Sequence, residues 1–329
     1  MLAAVALLAV QGCAPATPAD ADAVTHVSHS VSLGTAEAVY GSYLAASDAA
    51  AAQGNQTQGL SIVAAAQWAQ VRGQYAALAS AGTPVPRYRY GQPVFYVPAL
   101  AGYPQWFMVA APRRTEAGGR LDAAVSTLMV FDRTKQDPSW TLSGSAVLDR
   151  PLPAIARDRD GYAIDVATAD SSLLLRPDVV GATQAAVVDD GPASPAAAVV
   201  GGGPQTTGLY AAQAAQRAAE ESRDLQYQWL LQGAPFPQFG LRLADGGALV
   251  LYGMYLNTTT EHPDLVAGSP IQVPAAFSPL LAAPTEIGYH AVYATRTYQF
   301  AAIDPPSAAH DPKLQVIAAQ GAPSYGHAY

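Results

Sequence analysis

Trp140-Thr141-Leu142-Ser143-Gly144-Ser145-Ala146-Val147-Leu148 alternates between apolar and small polar side chains over its whole length. A period of two is the signature of a strand, because successive side chains point to opposite faces of a sheet. Leu142, Ala146 and Leu148 share one face with Trp140, while Thr141, Ser143 and Ser145 share the other. This predicts an antiparallel sheet with one side in the core and one in water. The same period recurs upstream at residues 125–131 and 103–111, and at Tyr88 and Tyr90 followed by residues 94–97. Before Tyr88 the period changes. Ala64, Trp68, Val71, Tyr75 and Leu78 recur at steps of three and four, and Tyr40, Tyr43, Leu44 and Ser47 do likewise. These are stripes on helices. Thr35 is placed to cap the first helix, and Gly54-Asn55 breaks the two, giving a helical hairpin over residues 35–81.

The order then repeats downstream of Pro151 and Pro153. Residues 177–188 read as a helix with Pro177 in its first turn, where no backbone donor is lost. Residues 189–207 are rich in Gly, Ala and Pro and read as a long loop, open to proteases. A second helix over 208–227 follows. Strands are expected at 239–243 and 248–256 around Asp245-Gly246-Gly247, a hairpin signal because glycine accepts positive φ. Two more are expected at 289–300 and 314–319. Helices set ahead of antiparallel strands define an α+β protein. We expect tandem lobes at 34–160 and 161–329, each a helical pair packed on a curved antiparallel sheet. That element order resembles the cone of the nuclear-transport-factor-2-like (NTF2-like), or cystatin-like, superfamily.

A second resemblance rests on particular residues. Tyr103-Pro104-Gln105-Trp106-Phe107, Leu128-Met129-Val130-Phe131, Trp140 and Asp160-Gly161-Tyr162 lie in the first half. Leu241-Arg242, the run from Asp245 to Val250 and the run from Phe300 to Pro305 lie in the second. Together they resemble a family of uncharacterised actinobacterial secreted lipoproteins, over about residues 35–321. These are strand and turn residues, so the resemblance implies a fold and transfers no active site.

The N-terminus points the same way. Residues 1–10 are apolar and lead to Val10-Gln11-Gly12-Cys13, which holds the single cysteine. A run of this length is too short to span a bilayer and matches the core of an export signal with a small-residue cleavage site. We expect residues 1–13 to be a lipoprotein signal segment and Cys13 the site of lipid attachment. Residues 14–33, with Pro, Ser, Thr and Asp, read as a flexible tether. The first basic residue is Arg72, so the basic start of an export signal is missing; we expect the true start to lie upstream. The destination is the extracytoplasmic face of the cell membrane.

Charged residues make up 13% of the chain and the net charge is −8. That balance excludes nucleic acid as a partner, which demands a concentrated basic face. A lone cysteine makes no internal disulfide and no thiolate zinc site. Neither a Gly-x-Ser-x-Gly elbow, a His-Glu-x-x-His pair nor a Gly-Lys-Ser/Thr phosphate loop occurs. Gly201-Gly202-Gly203 runs into Pro204 and reads as linker. His26 and His29 fall in the tether. Glu261-His262 with Asp264 reads as a solvated loop, and Asp158, Asp160 and Asp165 around Gly161 as an aspartate-capped turn. Arg87, Tyr88, Arg89 and Tyr90 alternate as surface and core along a strand.

No metal and no cofactor is expected, and no catalytic residue is assigned. Trp68, Tyr75 and His290 are the candidates for lining a conical cavity. The leading expectation is a lipid-anchored envelope protein that binds or scaffolds without catalysis, its partners the membrane through Cys13 and an envelope protein or small molecule. The alternative is a small-ligand carrier or enzyme using the cavity of one lobe. A cavity plugged by Trp and Tyr rings favours the first; a deep pocket with convergent polar groups favours the second.

Overall fold

The computed structural model describes residues 31–117, 119–263, 269–281 and 290–329. The signal segment, Cys13, His26, His29 and most of the tether therefore lie outside the described residues, as does Asp264. Helices α1 (Leu33–Gln53), α2 (Gln56–Ser61) and α3 (Ala65–Ser80) come first. The strands β1 (Arg87–Tyr90), β2 (Val94–Tyr96), β3 (Gln105–Ala117), β4 (Arg120–Leu121), β5 (Val125–Arg133) and β6 (Thr141–Leu148) follow. Then come α4 (Pro177–Asp190) and α5 (Thr207–Glu221), and finally β7 (Gln226–Gly233), β8 (Phe239–Arg242), β9 (Ala248–Glu261), β10 (Ala291–Asp304) and β11 (Gln315–Ala328).

Local chemistry explains the boundaries. Ser32, not Thr35, caps α1: its hydroxyl oxygen accepts from the Thr35 N–H at 3.1 Å. Gly54 ends that helix at φ +60°, a left-handed conformation that costs glycine nothing. Asn55 then caps α2 by accepting from the Gln58 N–H. Val31, assigned by sequence to the tether, is only 1% exposed and packs with Tyr40 and Phe107 in the first-half core.

The two strand groups do not make two sheets. All pairings between these strands are antiparallel, and the order β1-β3-β5-β6-β11-β10-β9-β7 is one continuous sheet, with β2 and β4 on β3 and β8 on β9. The seam is short: Val147 opposes Ala319 and Leu148 opposes Ala318. Joining β6 to β11 removes two raw sheet edges, which would otherwise be open to wrong pairing. The sheet folds at this seam, so that its halves face each other. Trp106, Met108, Leu128 and Val130 from β3 and β5 share one core with Leu241, Leu249, Leu251 and Ile317 from β8, β9 and β11. Side chains of opposite parity point outward to the helices. Phe107, Val109, Met129 and Phe131 meet α1, while Val250, Tyr252, Met254 and Phe300 meet α4 and α5. The result is helices, half-sheet, half-sheet, helices.

This arrangement overturns the reading of β6 as half solvated. Thr141, Ser143 and Ser145 are all buried. Ser143 donates to the Asp132 carboxylate, and the Ser145 N–H donates to Gln299 Oε1 at 2.6 Å. Gln299 Nε2 in turn donates to Gln67 and Gln70 of α3, and Gln70 donates to the backbone carbonyls of Thr297 and Gln320. A polar face on a strand thus meets a polar stripe on a helix, and buried groups are satisfied by one another rather than by water.

The segment 189–207 is also not an open loop. Val200 is 2% exposed and belongs to the second-half core. The Gly201 N–H donates to the Leu314 carbonyl, and the Leu314 N–H donates to Val199, both at 2.8 Å. Thr206 donates to the Gly201 carbonyl at 2.9 Å. Glycine at 201 lets the backbone lie against the amide of Gln315, which would have to swing aside for any Cβ.

Candidate functional site

Each half leaves a space between its helices and its strands, and the two spaces differ. In the first half, α1, α2 and α3 close over β1, β3 and β6. The cavity is about 60 Å³, lined by Tyr43, Tyr75, Tyr88, Tyr90, Arg113 and Gln320 among others. That is room for a few waters and not for an organic ligand. Aromatic rings fill what remains. Tyr40 meets Tyr90, Phe95 and Phe131 edge-on at 5.7–6.2 Å between centroids. The Arg113 guanidinium lies over the Tyr88 ring at 4.6 Å. Burial pushes the Tyr90 hydroxyl up to about 12 and Tyr43 higher still. Neither ionises near neutrality.

In the second half, α5 packs along β7, with Arg217 over the Trp229 ring at 4.2 Å, and leaves a space over β9 and β10. The cavity between them measures about 380 Å³. This falls within the roughly 300–1,000 Å³ range of ligand sites. Its floor is the helix-facing side of the sheet: Tyr227, Leu256, Thr258, Val292, Ala294, Arg296 and Tyr298. Gln213, Gln216 and Glu220 of α5 form one wall, and Gln272, Pro274 and Phe277 the opposite one. The registers bring these residues together: Thr258 faces Ala294 and Leu256 faces Arg296 across β9 and β10.

The polar groups are held in place. Tyr227 donates its hydroxyl to Gln213 Oε1 at 2.7 Å. Burial raises that hydroxyl to about 12, so it stays a neutral donor at physiological pH. Glu220 accepts from Gln216 at 2.7 Å and from Arg223 at 2.9 Å. Arg296 is set against the Phe277 ring at 5.6 Å. Among the described residues it has no carboxylate within ion-pairing distance. Tyr298 stacks on Phe300 with centroids 5.2 Å apart and planes 3° apart.

The sequence-derived candidates fall in three different places. Tyr75 lines the closed first-half cavity, where its hydroxyl lies against Gly59. Trp68 is 40% exposed and borders a separate groove of about 300 Å³ with Arg72, Tyr255, Asn257 and Tyr325. His290 precedes β10 and stacks on the Tyr329 ring at 6.0 Å, outside the lining of either cavity. Its backbone carbonyl accepts from the His262 N–H. Among the described residues no group of three or more His, Cys, Asp and Glu is placed to hold a metal. No helix of the described residues is long and apolar enough to cross a membrane. The aspartate turn is as expected: Asp158 Oδ1 accepts from the Asp160 and Tyr162 N–H groups at 2.9 Å. Arg87 and Arg89 pair with Asp48, so that strand's alternation needs no ligand.

The residues that build the second-half cavity were not singled out in the sequence. A signal existed. Val292, Ala294, Arg296, Tyr298, Phe300 and Ala302 occupy one face of β10, so an arginine interrupts an otherwise apolar phase.

The fold is thus mixed α and β, dominated by one large antiparallel sheet, with a ligand-sized cavity in its second half. Over residues 27–322 the chain matches the family described as Domain of unknown function (DUF8094), and it belongs to that family. It is also similar to an "Uncharacterized lipoprotein" of Streptomyces avermitilis, 27% identical over 195 residues. The match covers 54% of this chain and 54% of that protein, about half the length of each. Both findings agree with the lipoprotein resemblance. No solved structure matches.

Proposed function

We propose that this protein is a lipoprotein of the cell envelope, anchored through Cys13, that holds a small molecule in the cavity between α5 and the second half-sheet. The observation that carries the binding role is the cavity itself: about 380 Å³, with Tyr227, Arg296, Gln213 and Glu220 converging on it. The anchoring rests on Val10-Gln11-Gly12-Cys13 and on the name of the Streptomyces relative. The role is binding rather than turnover, since Glu220, the acidic group of the cavity, is committed to Arg223 and Gln216. In this reading residues 34–160 and 161–329 are tandem cones of the nuclear-transport-factor-2-like kind, fused through one sheet, and the larger space between helices and sheet lies in the second.

Two measurements test this. Labelled palmitate should enter the wild-type chain in its native host and be absent from Cys13→Ala. In a thermal-shift screen of metabolites, a ligand at 100 times its Kd should add about 2.7 kcal/mol of stability. The gain should vanish in Ala212→Trp, which puts a bulky ring at an exposed rim position. A screen with no hit that depends on Ala212 would sink the carrier reading. A second reading, a scaffold for an envelope protein, is favoured by the exposed Trp68 and Tyr325 rings bordering their shared groove.

A further inference from the structure

The charges around the second-half cavity specify its ligand further, granted that this cavity binds one. Arg296 projects from β10 into a space walled by Tyr227, Tyr298 and Phe277. Arg296 is half-buried, and the described residues place no carboxylate within ion-pairing distance of it, so an anion entering the cavity would meet an uncompensated positive charge. Glu220 lines the same cavity but already accepts from Arg223 and Gln216, so it does not neutralise Arg296. The Arg296 guanidinium lies over the Phe277 ring at 5.6 Å, and arginine's fork of donors binds an oxyanion in a paired fashion.

We propose that the cavity takes a small organic monoanion, a carboxylate or sulfonate on a flat, largely apolar body, with its charged end on Arg296. Three features limit the charge to one. Arg296 is the lone cation among the described lining residues, and Glu220 shares the cavity. The part of α5 that lines it, from Ala212 to Glu220, is the half toward the helix C-terminus, whose dipole repels anions. Phosphate dianions instead need clustered arginines or convergent backbone N–H groups. The body of the ligand meets Leu256, Val292, Ala294 and the aromatic rings, while Gln213 and the Tyr227 hydroxyl are placed to take one hydrogen bond from it.

A matched pair of dyes tests the idea on the whole chain. 8-Anilinonaphthalene-1-sulfonate and N-phenyl-1-naphthylamine share an aromatic body and differ by the anionic group. Fluorescence titration should give a Kd for the sulfonate at least about tenfold lower than for the neutral dye. Arg296→Gln should bring the two together, Arg296→Lys should restore part of the difference, and Ala212→Trp should weaken both. Near-UV circular dichroism of each variant shows whether it retains the native packing. Equal affinities that ignore Arg296→Gln but fall in Ala212→Trp would overturn the monoanion assignment and leave the carrier reading standing. Binding that ignores Ala212→Trp, or no binding of either dye, would overturn both.

Discussion

The two halves lay helices on the outer side of a half-sheet in the same order, yet the spaces enclosed between helices and strands differ, about 60 Å³ in the first and about 380 Å³ in the second. In the first half three helices cover the strands, and Tyr40, Tyr43, Tyr75 and Tyr90 occupy the interior. In the second, α4 is buried against the sheet through Val180, Val187 and Val188, while α5 touches the core mainly through Leu209 near its start. Further along α5 the inward positions are Gln213, Gln216 and Glu220, which do not pack a core. The same scaffold is closed where large rings face in, and open where amides and a carboxylate do. What separates the two spaces is side-chain chemistry rather than topology.

That contrast can be broken by mutation, and the largest effect is expected in the closed half. Phe131 stacks on Phe107 at 5.1 Å and meets both Tyr40 and Tyr43. Phe131→Ala should cost about 3–5 kcal/mol in urea denaturation, the usual range for deleting a core aromatic. Overfilling should hurt there too. A Cβ on Gly59 would lie 2.6 Å from the Tyr75 hydroxyl, so Gly59→Ala should cost about 1–3 kcal/mol. The same measurements on Tyr227→Phe in the open half should show about 1–2 kcal/mol, because the hydroxyl's bonds with Gln213 and Thr258 are lost and no core volume is.

Between these in size lies a pH effect from the second half. Burial raises the carboxyl of Asp304 to about 7 and that of Asp189 to about 6, the latter against the pull of the Leu231 N–H. Both therefore titrate higher in the folded chain than in the unfolded one, where an aspartate sits near about 4. The folded state holds extra protons between those values, so this contribution is full below about pH 4 and is lost as pH rises through 6 to 7. Tm should accordingly be several degrees higher at pH 5 than at pH 8. Asp304→Asn should flatten most of that slope; an unchanged slope would place its origin elsewhere.

Much of the secondary structure was legible in the sequence because single elements declare themselves by period. The stripe through Trp68, Val71 and Tyr75 gave α3, and the alternation from Trp140 to Leu148 gave β6. What the period does not encode is what lies across from a face. Ser143 and Ser145 are indistinguishable in sequence from solvated strand residues; only the folded chain brings Asp132 and Gln299 to them. The loop at 189–207 misled for a related reason, since its Gly-rich composition signals close backbone approach as readily as freedom. Its Val199-Val200 pair was the clue to docking. The cavity depended on three separate elements, so no local window contained it. The lone arginine in the apolar phase of β10 was its one readable mark.

The shared core behind the short β6–β11 seam bears on how the molecule is made. Severing the chain at 160/161 would strip the inner lining from both fragments, baring Trp106, Met108, Leu128 and Val130 on one and Leu241, Leu249, Leu251 and Ile317 on the other. Expressed singly, each fragment should be found in inclusion bodies; produced together, they should recover as a soluble complementing pair.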